Sequence, residues 1–270
     1  MRNWIAEQTE RRIAQFDRAV RVHYPESAVF FEDPKEFHRG LKDLWNYLDA
    51  ARRIDWKKHL PAGAVCLDLG SGVGWLSAFL SSNAQVEKIY ALDSSKHFLT
   101  VMRPAIESLM GAEGRKIEPI EGFFTPLLFE DRSLDAVVAA SALHHAENLE
   151  EALVEIHRVL KDGGTLFLVN ELPHHDLGYL FFLLKGFAAI LVRSALRVYR
   201  ATSRALSSSG VLDDPHLGDR RYPYWYWRRA IDRAGFELIE TQRTGLSTLK
   251  ADPSSMELVH FICRKRTAHP

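Results

Sequence analysis

The sequence predicts an α/β protein in which a mostly parallel sheet is sandwiched by helices. Two observations carry this. Across residues 64–171 short apolar runs alternate with amphipathic segments of helical period. The runs are continuous rather than alternating, so each strand is buried on both faces, as parallel strands covered by helices are.

Residues 1–60 predict an N-terminal helical cap. Apolar side chains recur at helical spacing, first at Ile5, Ile13, Phe16 and Val20, then at Leu41, Leu44, Trp45 and Leu48. Tyr24-Pro25 and Asp33-Pro34 break it. Residues 61–171 form the α/β core, with strands over 64–69, 88–92, 117–120, 134–140 and 165–169. Between them the pattern predicts helices over 75–81, 95–110 (kinked at Pro104) and 149–160. Past Glu171 the alternation stops. Residues 172–222 read as a helical insertion or lid, a long helix over 177–206 followed by a polar loop over 207–221. Residues 223–270 add a helix near 224–234 and two last strands, 236–241 and 258–263, which complete the core.

Composition narrows the class. The 270 residues are 46% hydrophobic and 26% charged, with 35 Lys plus Arg against 35 Asp plus Glu. That suits an ordinary soluble protein and excludes one that grips nucleic acid through bulk charge. Cys66 and Cys263 alone make neither a disulfide framework nor a zinc set. The polar start predicts no secretory leader, and the expected location is cytoplasmic. The apolar stretch 177–192 is interrupted by Lys185 and Gly186 and is short for a bilayer span.

The informative segment is Asp68-Leu69-Gly70-Ser71-Gly72-Val73-Gly74-Trp75, between the first strand and its helix. Glycines there let backbone approach a ligand closely. A dinucleotide fingerprint would need a third glycine where Trp75 stands, and no Gly-Lys-Ser/Thr phosphate loop ends the turn. Asp68 would repel a pyrophosphate and suits a cation, such as the ammonium or sulfonium of S-adenosylmethionine. Asp93, at the next strand tip, is placed to accept from two ribose hydroxyls.

With these segments the chain resembles the class I S-adenosylmethionine-dependent methyltransferases, of the small-molecule kind often called type 11. The resemblance also rests on Ala91-Leu92-Asp93-Ser94, Ser133-Leu134-Asp135-Ala136-Val137-Val138 and Ser141-Ala142-Leu143-His144-His145. It ends with Glu155-Ile156-His157-Arg158-Val159-Leu160-Lys161-Asp162-Gly163-Gly164-Thr165-Leu166. It implies a Rossmann-like seven-stranded sheet and S-adenosyl-L-methionine as cofactor. The residues it implies at the cofactor are Asp68, Gly70, Ser71, Gly72, Gly74, Asp93, Ser94, Gly122, Phe123 and Ser141. Phe123 stands where family members often carry an acid, so adenine recognition falls to backbone groups or to Glu121 in a shifted register.

Two histidine pairs, His144-His145 and His174-His175, follow the fourth and fifth strands, where open α/β sheets hold their ligands. If those strands are neighbours, the pairs and Glu171 line one end of the cleft. His144 and His145 are the candidate bases for a protonated acceptor; the alternative is that they only pack the loop. No metal site is expected, because adjacent histidines on a strand diverge.

Arg193, Arg197, Arg200 and Arg204 lie opposite an apolar stripe on the insertion helix. They are a lid's solvated face or a peripheral membrane contact through 177–206. The run Tyr222-Pro223-Tyr224-Trp225-Tyr226-Trp227 reads as one wall of an acceptor pocket. Phe30, Phe31, Phe37, Trp45 and Tyr47 either close its other side or pack in the core. The expected partner is thus a small, apolar or aromatic methyl acceptor, with no nucleic acid; the sequence leaves the oligomeric state open. Methylation of a quinone- or lipid-like molecule, or cofactor binding without transfer, are the alternatives.

Overall fold

The computed structural model describes residues 2–4, 25–176, 206–207, 210–214 and 219–267. Strands are β1 (Arg2–Asn3), β2 (Ala64–Leu69), β3 (Val86–Asp93), β4 (Ile117–Glu121), β5 (Leu134–Ala140) and β6 (Leu160–Glu171). They continue as β7 (Leu206–Ser207), β8 (Gly210–Asp214), β9 (Asp219–Arg221), β10 (Phe236–Leu249) and β11 (Asp252–Lys265). The large sheet runs β1-β4-β3-β2-β5-β6-β11-β10. Neighbours from β1 to β6 are parallel, and β11 alone runs against the rest. Seven strands follow the expected Rossmann-like plan, and β1 adds two residues at the edge beside β4. Strand order reverses between β2 and β5, so a crevice opens beyond their carboxyl ends.

Helices α1 (Pro25–Glu32), α2 (Pro34–Arg39), α3 (Tyr47–Ala51) and α4 (Trp56–His59) precede β2. Helices α5 (Trp75–Ser81) and α6 (Arg103–Met110) connect β2, β3 and β4, while α7 (Leu149–Val159) connects β5 and β6 and α8 (Tyr224–Arg233) precedes β10. The predicted kink at Pro104 is a π-helical segment, Phe98–Met102, directly before α6. Proline cannot donate to the i−4 carbonyl, so the ladder is re-spaced upstream.

Two apolar layers flank the sheet. One gathers Leu41, Trp56, Leu76, Leu80 and Ile106 under the N-terminal helices, α5 and α6. The other gathers α7 and α8 through Leu149, Leu153, Ile156, Trp227 and Ile231. On α7 the buried set Leu149, Ala152, Leu153, Ile156, Val159 repeats every three or four residues. Fully burying each large one contributes about 1.5–3 kcal/mol. The Asn148 side chain caps α7 by accepting the N–H of Glu150 at 3.1 Å and of Glu151 at 3.3 Å.

The N-terminal aromatics pack on one another. The Trp45 ring centroid lies 5.1 Å from Phe30, 5.3 Å from Phe37 and 5.6 Å from Tyr47. This cluster joins the layer over α5, so these side chains serve the core. The segment read as a polar loop carries β7, β8 and β9, a small antiparallel sheet. Its serines, aspartates and glycines give a turn-like composition, yet backbone pairing needs no apolar pattern. The predicted helix over 177–206 lies outside the described residues save at its last position, Leu206, which belongs to β7. Among the described residues no helix is long and apolar enough to cross a membrane.

Candidate active site

The glycine turn leaves β2 at Leu69 with three left-handed glycines, Gly70 at φ 71°, Gly72 at 53° and Gly74 at 80°. Gly70 is tightly enclosed. A Cβ there would stand 2.8 Å from the Cβ of Ala142 and 3.0 Å from Cε1 of Phe124. Gly72 is the reverse, because a Cβ there would meet nothing within 4 Å among the described residues. The turn thus packs its first glycine against the loop after β5 and turns its second toward open space.

Two acids hold the turn. Asp93 Oδ2 accepts the Gly72 N–H at 2.8 Å, while Oδ1 accepts the Ser95 N–H at 2.8 Å. Asp68 is 1% exposed, and its Oδ2 accepts the Ser77 hydroxyl at 2.6 Å. Burial pushes the Asp68 carboxyl up to about 7, against the lowering effect of Ser77. Ser77, on the first turn of α5, gives no signal in the sequence, since a small residue on a buried helix face looks like packing. Two polar atoms of this region, Asp68 Oδ1 and Ser71 Oγ, are buried without a hydrogen-bond partner among the described residues. Polar atoms in that state call for a ligand or an ion.

The other residues expected at the cofactor follow the carboxyl ends of β3, β4 and β5. Ser94 is half-buried just past β3. Gly122 donates its N–H to the Asp93 carbonyl at 2.9 Å, and Phe123 follows half-buried. A Cβ on Gly122 would lie 3.3 Å from the Trp4 ring, which marks Trp4 as a further neighbour. Trp4 in turn donates its backbone N–H to the Glu121 carbonyl at 2.7 Å. Ser141, at φ 47°, donates its hydroxyl to the Asn170 carbonyl at 2.7 Å and so ties the end of β5 to β6.

His144 and His145 lie on a 3₁₀ turn, Leu143–His145, rather than on a strand. Their rings therefore do not diverge; the centroids are 4.2 Å apart. Among the described residues no group of three His, Cys, Asp or Glu gathers as a metal set. β5 and β6 pair directly, which brings His144 Nδ1 to 3.2 Å from Glu171 Oε2. The second pair goes elsewhere. His174 forms a bridge with Pro223, and His175 lines a cavity of about 490 Å³ with Asp176, Tyr224, Arg228, Thr241 and Arg243. Of the aromatic run, Tyr222 and Trp227 are buried in the core and Tyr226 donates to Glu150 Oε1 at 2.7 Å. Tyr224 is the one residue of that run that lines this cavity.

Known proteins share this fold and glycine turn. Residues 67–168 match the methyltransferase domain family. Through this domain the chain is similar to the class I S-adenosylmethionine-dependent methyltransferases. A demethylmenaquinone methyltransferase of Chlorobaculum tepidum is 30% identical over 131 residues, 48% of this chain and 50% of that one. The sterol 24-C-methyltransferase of Saccharomyces cerevisiae is 25% identical over 186 residues, 63% of this chain and 46% of that one. The chain thus spans about half the length of these curated relatives. In fold it is similar to the Burkholderia thailandensis 1,6-didemethyltoxoflavin-N1-methyltransferase, solved with its substrate and S-adenosylhomocysteine. That likeness has a TM-score of 0.58 at 15% identity, and covers 97% of this chain and 92% of that one.

Proposed function

We propose that this protein transfers the methyl group of S-adenosylmethionine to a small, apolar or aromatic molecule. The observation that carries the proposal is the pair of buried, partnerless polar atoms, Asp68 Oδ1 and Ser71 Oγ, beside the open side of Gly72. Such a cradle fits a polar, cationic ligand. Asp68, Ser71 and the Gly70–Gly74 turn would hold its methionine part, and Asp93 with Ser94 its ribose. Gly122, Phe123 and Ser141 would complete the walls. When bound, the cofactor supplies an electrophilic methyl on a positively charged sulfur, itself a good leaving group. The chain's own part is to align the acceptor, exclude water and receive a proton where the acceptor has one to lose. His144 and His145 are the residues placed for that.

A second reading has support of its own, namely an acceptor dissolved in membranes. The two curated relatives are named for demethylmenaquinone and for a sterol, both largely apolar molecules. A peripheral membrane contact through 177–206 and a cytoplasmic location would accompany it.

Isothermal titration with S-adenosylhomocysteine and a labelled-methyl screen of quinols, sterols and water-soluble phenols test both readings. Binding with methyl incorporation supports the proposal, and incorporation confined to vesicle-borne acceptors selects the second reading. Binding without incorporation into any acceptor marks a cofactor-binding protein that does not transfer. Absence of binding rejects both.

A further inference from the structure

The first described residues close one edge of the large sheet. Arg2 and Asn3 pair in parallel with Ile120 and Glu121 of β4, and the Trp4 N–H donates to the Glu121 carbonyl at 2.7 Å. Two residues are fewer than a strand usually has, so the indole that follows supplies the anchor. The Trp4 ring stands edge-on to Phe129 with centroids 5.0 Å apart, and Phe129 packs in turn on Tyr90 of β3 at 5.1 Å.

The same indole bears on the loop after β4. A Cβ on Gly122 would lie 3.3 Å from Cε3 of Trp4, so the missing side chain is what lets ring and backbone lie together. Two residues on, the ring of Phe124 closes on the glycine turn, since a Cβ on Gly70 would stand 3.0 Å from its Cε1. Loop 122–124 is therefore held between Trp4 at its start and the glycine turn at its end. Its backbone is tied to the same turn, because the Gly122 N–H donates to the Asp93 carbonyl at 2.9 Å and the Asp93 carboxylate holds the Gly72 N–H at 2.8 Å.

We propose that Trp4 is a positioning residue of the cofactor site, setting loop 122–124 where the adenine end of S-adenosylmethionine meets it, and that the bound cofactor in turn holds the N-terminal strand on β4. This rests on the cofactor reading above. Trp4 acts through Gly122. A loop fixed beforehand spares the ligand the cost of ordering it, which tightens binding without a new contact. Coupling between two sites is reciprocal, so the factor by which docked Trp4 tightens the cofactor is the factor by which the cofactor tightens Trp4 docking.

The test uses the full chain, with Trp4→Ala and Trp4→Phe beside the wild type and S-adenosylhomocysteine as the ligand. Calorimetric titration is expected to give a Kd raised about tenfold in Trp4→Ala and within about threefold of wild type in Trp4→Phe, which keeps a ring against Gly122 and Phe129. Thermal unfolding without ligand checks that both variants are folded. Hydrogen exchange on the wild type, read residue by residue, gives the reciprocal measurement and decides the matter if Trp4→Ala does not fold. Saturating ligand should slow the Trp4 amide about tenfold. The Leu249 amide, which donates to Ser255 Oγ at 3.1 Å on the strand at the opposite edge of the sheet, should exchange as before. Equal Kd values for wild type and folded Trp4→Ala, or a Trp4 amide slowed no more than that of Leu249, would overturn the proposal. Failure of the wild type itself to bind S-adenosylhomocysteine would bring down the cofactor reading, and this proposal with it.

Discussion

Asp93 Oδ2 accepts the backbone N–H of Gly72 at 2.8 Å. The acid at the tip of β3 and the open glycine of the β2 turn are thus one unit, and what loosens one misplaces the other. Replacing Asp93 by Ala removes this bond and that to Ser95, as well as the proposed ribose acceptor. Charge-assisted hydrogen bonds are worth about 1.5–3 kcal/mol each. Asp93→Ala should therefore weaken S-adenosylhomocysteine about 30-fold or more by calorimetric titration, with Asp93→Asn intermediate.

Gly70 tests packing rather than binding. An alanine there needs φ 71° and brings a Cβ to 2.8 Å from Ala142 and 3.0 Å from Phe124. The left-handed backbone costs about 1–2 kcal/mol and the overpacking about as much again. Gly70→Ala should lower the midpoint of thermal unfolding by about 10 °C in scanning calorimetry. An unchanged midpoint would mean that Ala142 and Phe124 do not enclose the turn.

Asp68 gives a pH signature. Burial raises its carboxyl from 3.8 to about 7 in the folded chain. A raised value favours folding fully below the unfolded pKa, and that contribution is lost as pH rises through about 7. In the absence of ligand, Asp68→Asn should flatten the decline between pH 4 and 7 in urea midpoints. A bound cation favours the ionised acid, so S-adenosylhomocysteine should bind the wild type more tightly at pH 8 than at pH 6. Asp68→Asn should show no such trend.

His260 works in the opposite sense. Its Nε2 lies 3.0 Å from the Ala50 carbonyl, and Nδ1 accepts the Asn170 N–H at 3.0 Å, so the buried ring is held neutral. Burial lowers it from 6.5 to about 4. Its contribution is fully present above pH 6.5 and is lost as pH falls toward 4, by up to about 3 kcal/mol. Between pH 7.5 and 5 the wild type should lose more stability than His260→Gln, read from urea midpoints at the two values.

What the sequence reveals about this fold tracks burial. The strand over 134–140 and the helix over 75–81 have the ends expected, because both are mostly apolar and bounded by polar or glycine residues. β10 and β11 each run 14 residues, far beyond the short apolar stretches that betrayed them. Their outer halves pair as a hairpin, where Arg243, Thr244 and Ser247 carry no apolar signal. The glycine turn and Asp93 were legible because their chemistry is local in sequence. The pairing of His144 with Glu171 joins residues 27 apart and needs the adjacency of β5 and β6. Ser77 left no trace, since only the folded turn points it at Asp68.

The central claim is that the open side of Gly72 is where S-adenosylmethionine lies. Calorimetric titration of S-adenosylhomocysteine into the wild type and Gly72→Ala tests it most directly. Among the described residues the added methyl meets nothing within 4 Å beyond its chain neighbours, so the variant should stay folded at a cost of about 1–2 kcal/mol from its φ of 53°. Micromolar binding by the wild type and a loss of 100-fold or more in the folded variant are expected. Equal affinity in the two proteins, or no binding by the wild type, would contradict it.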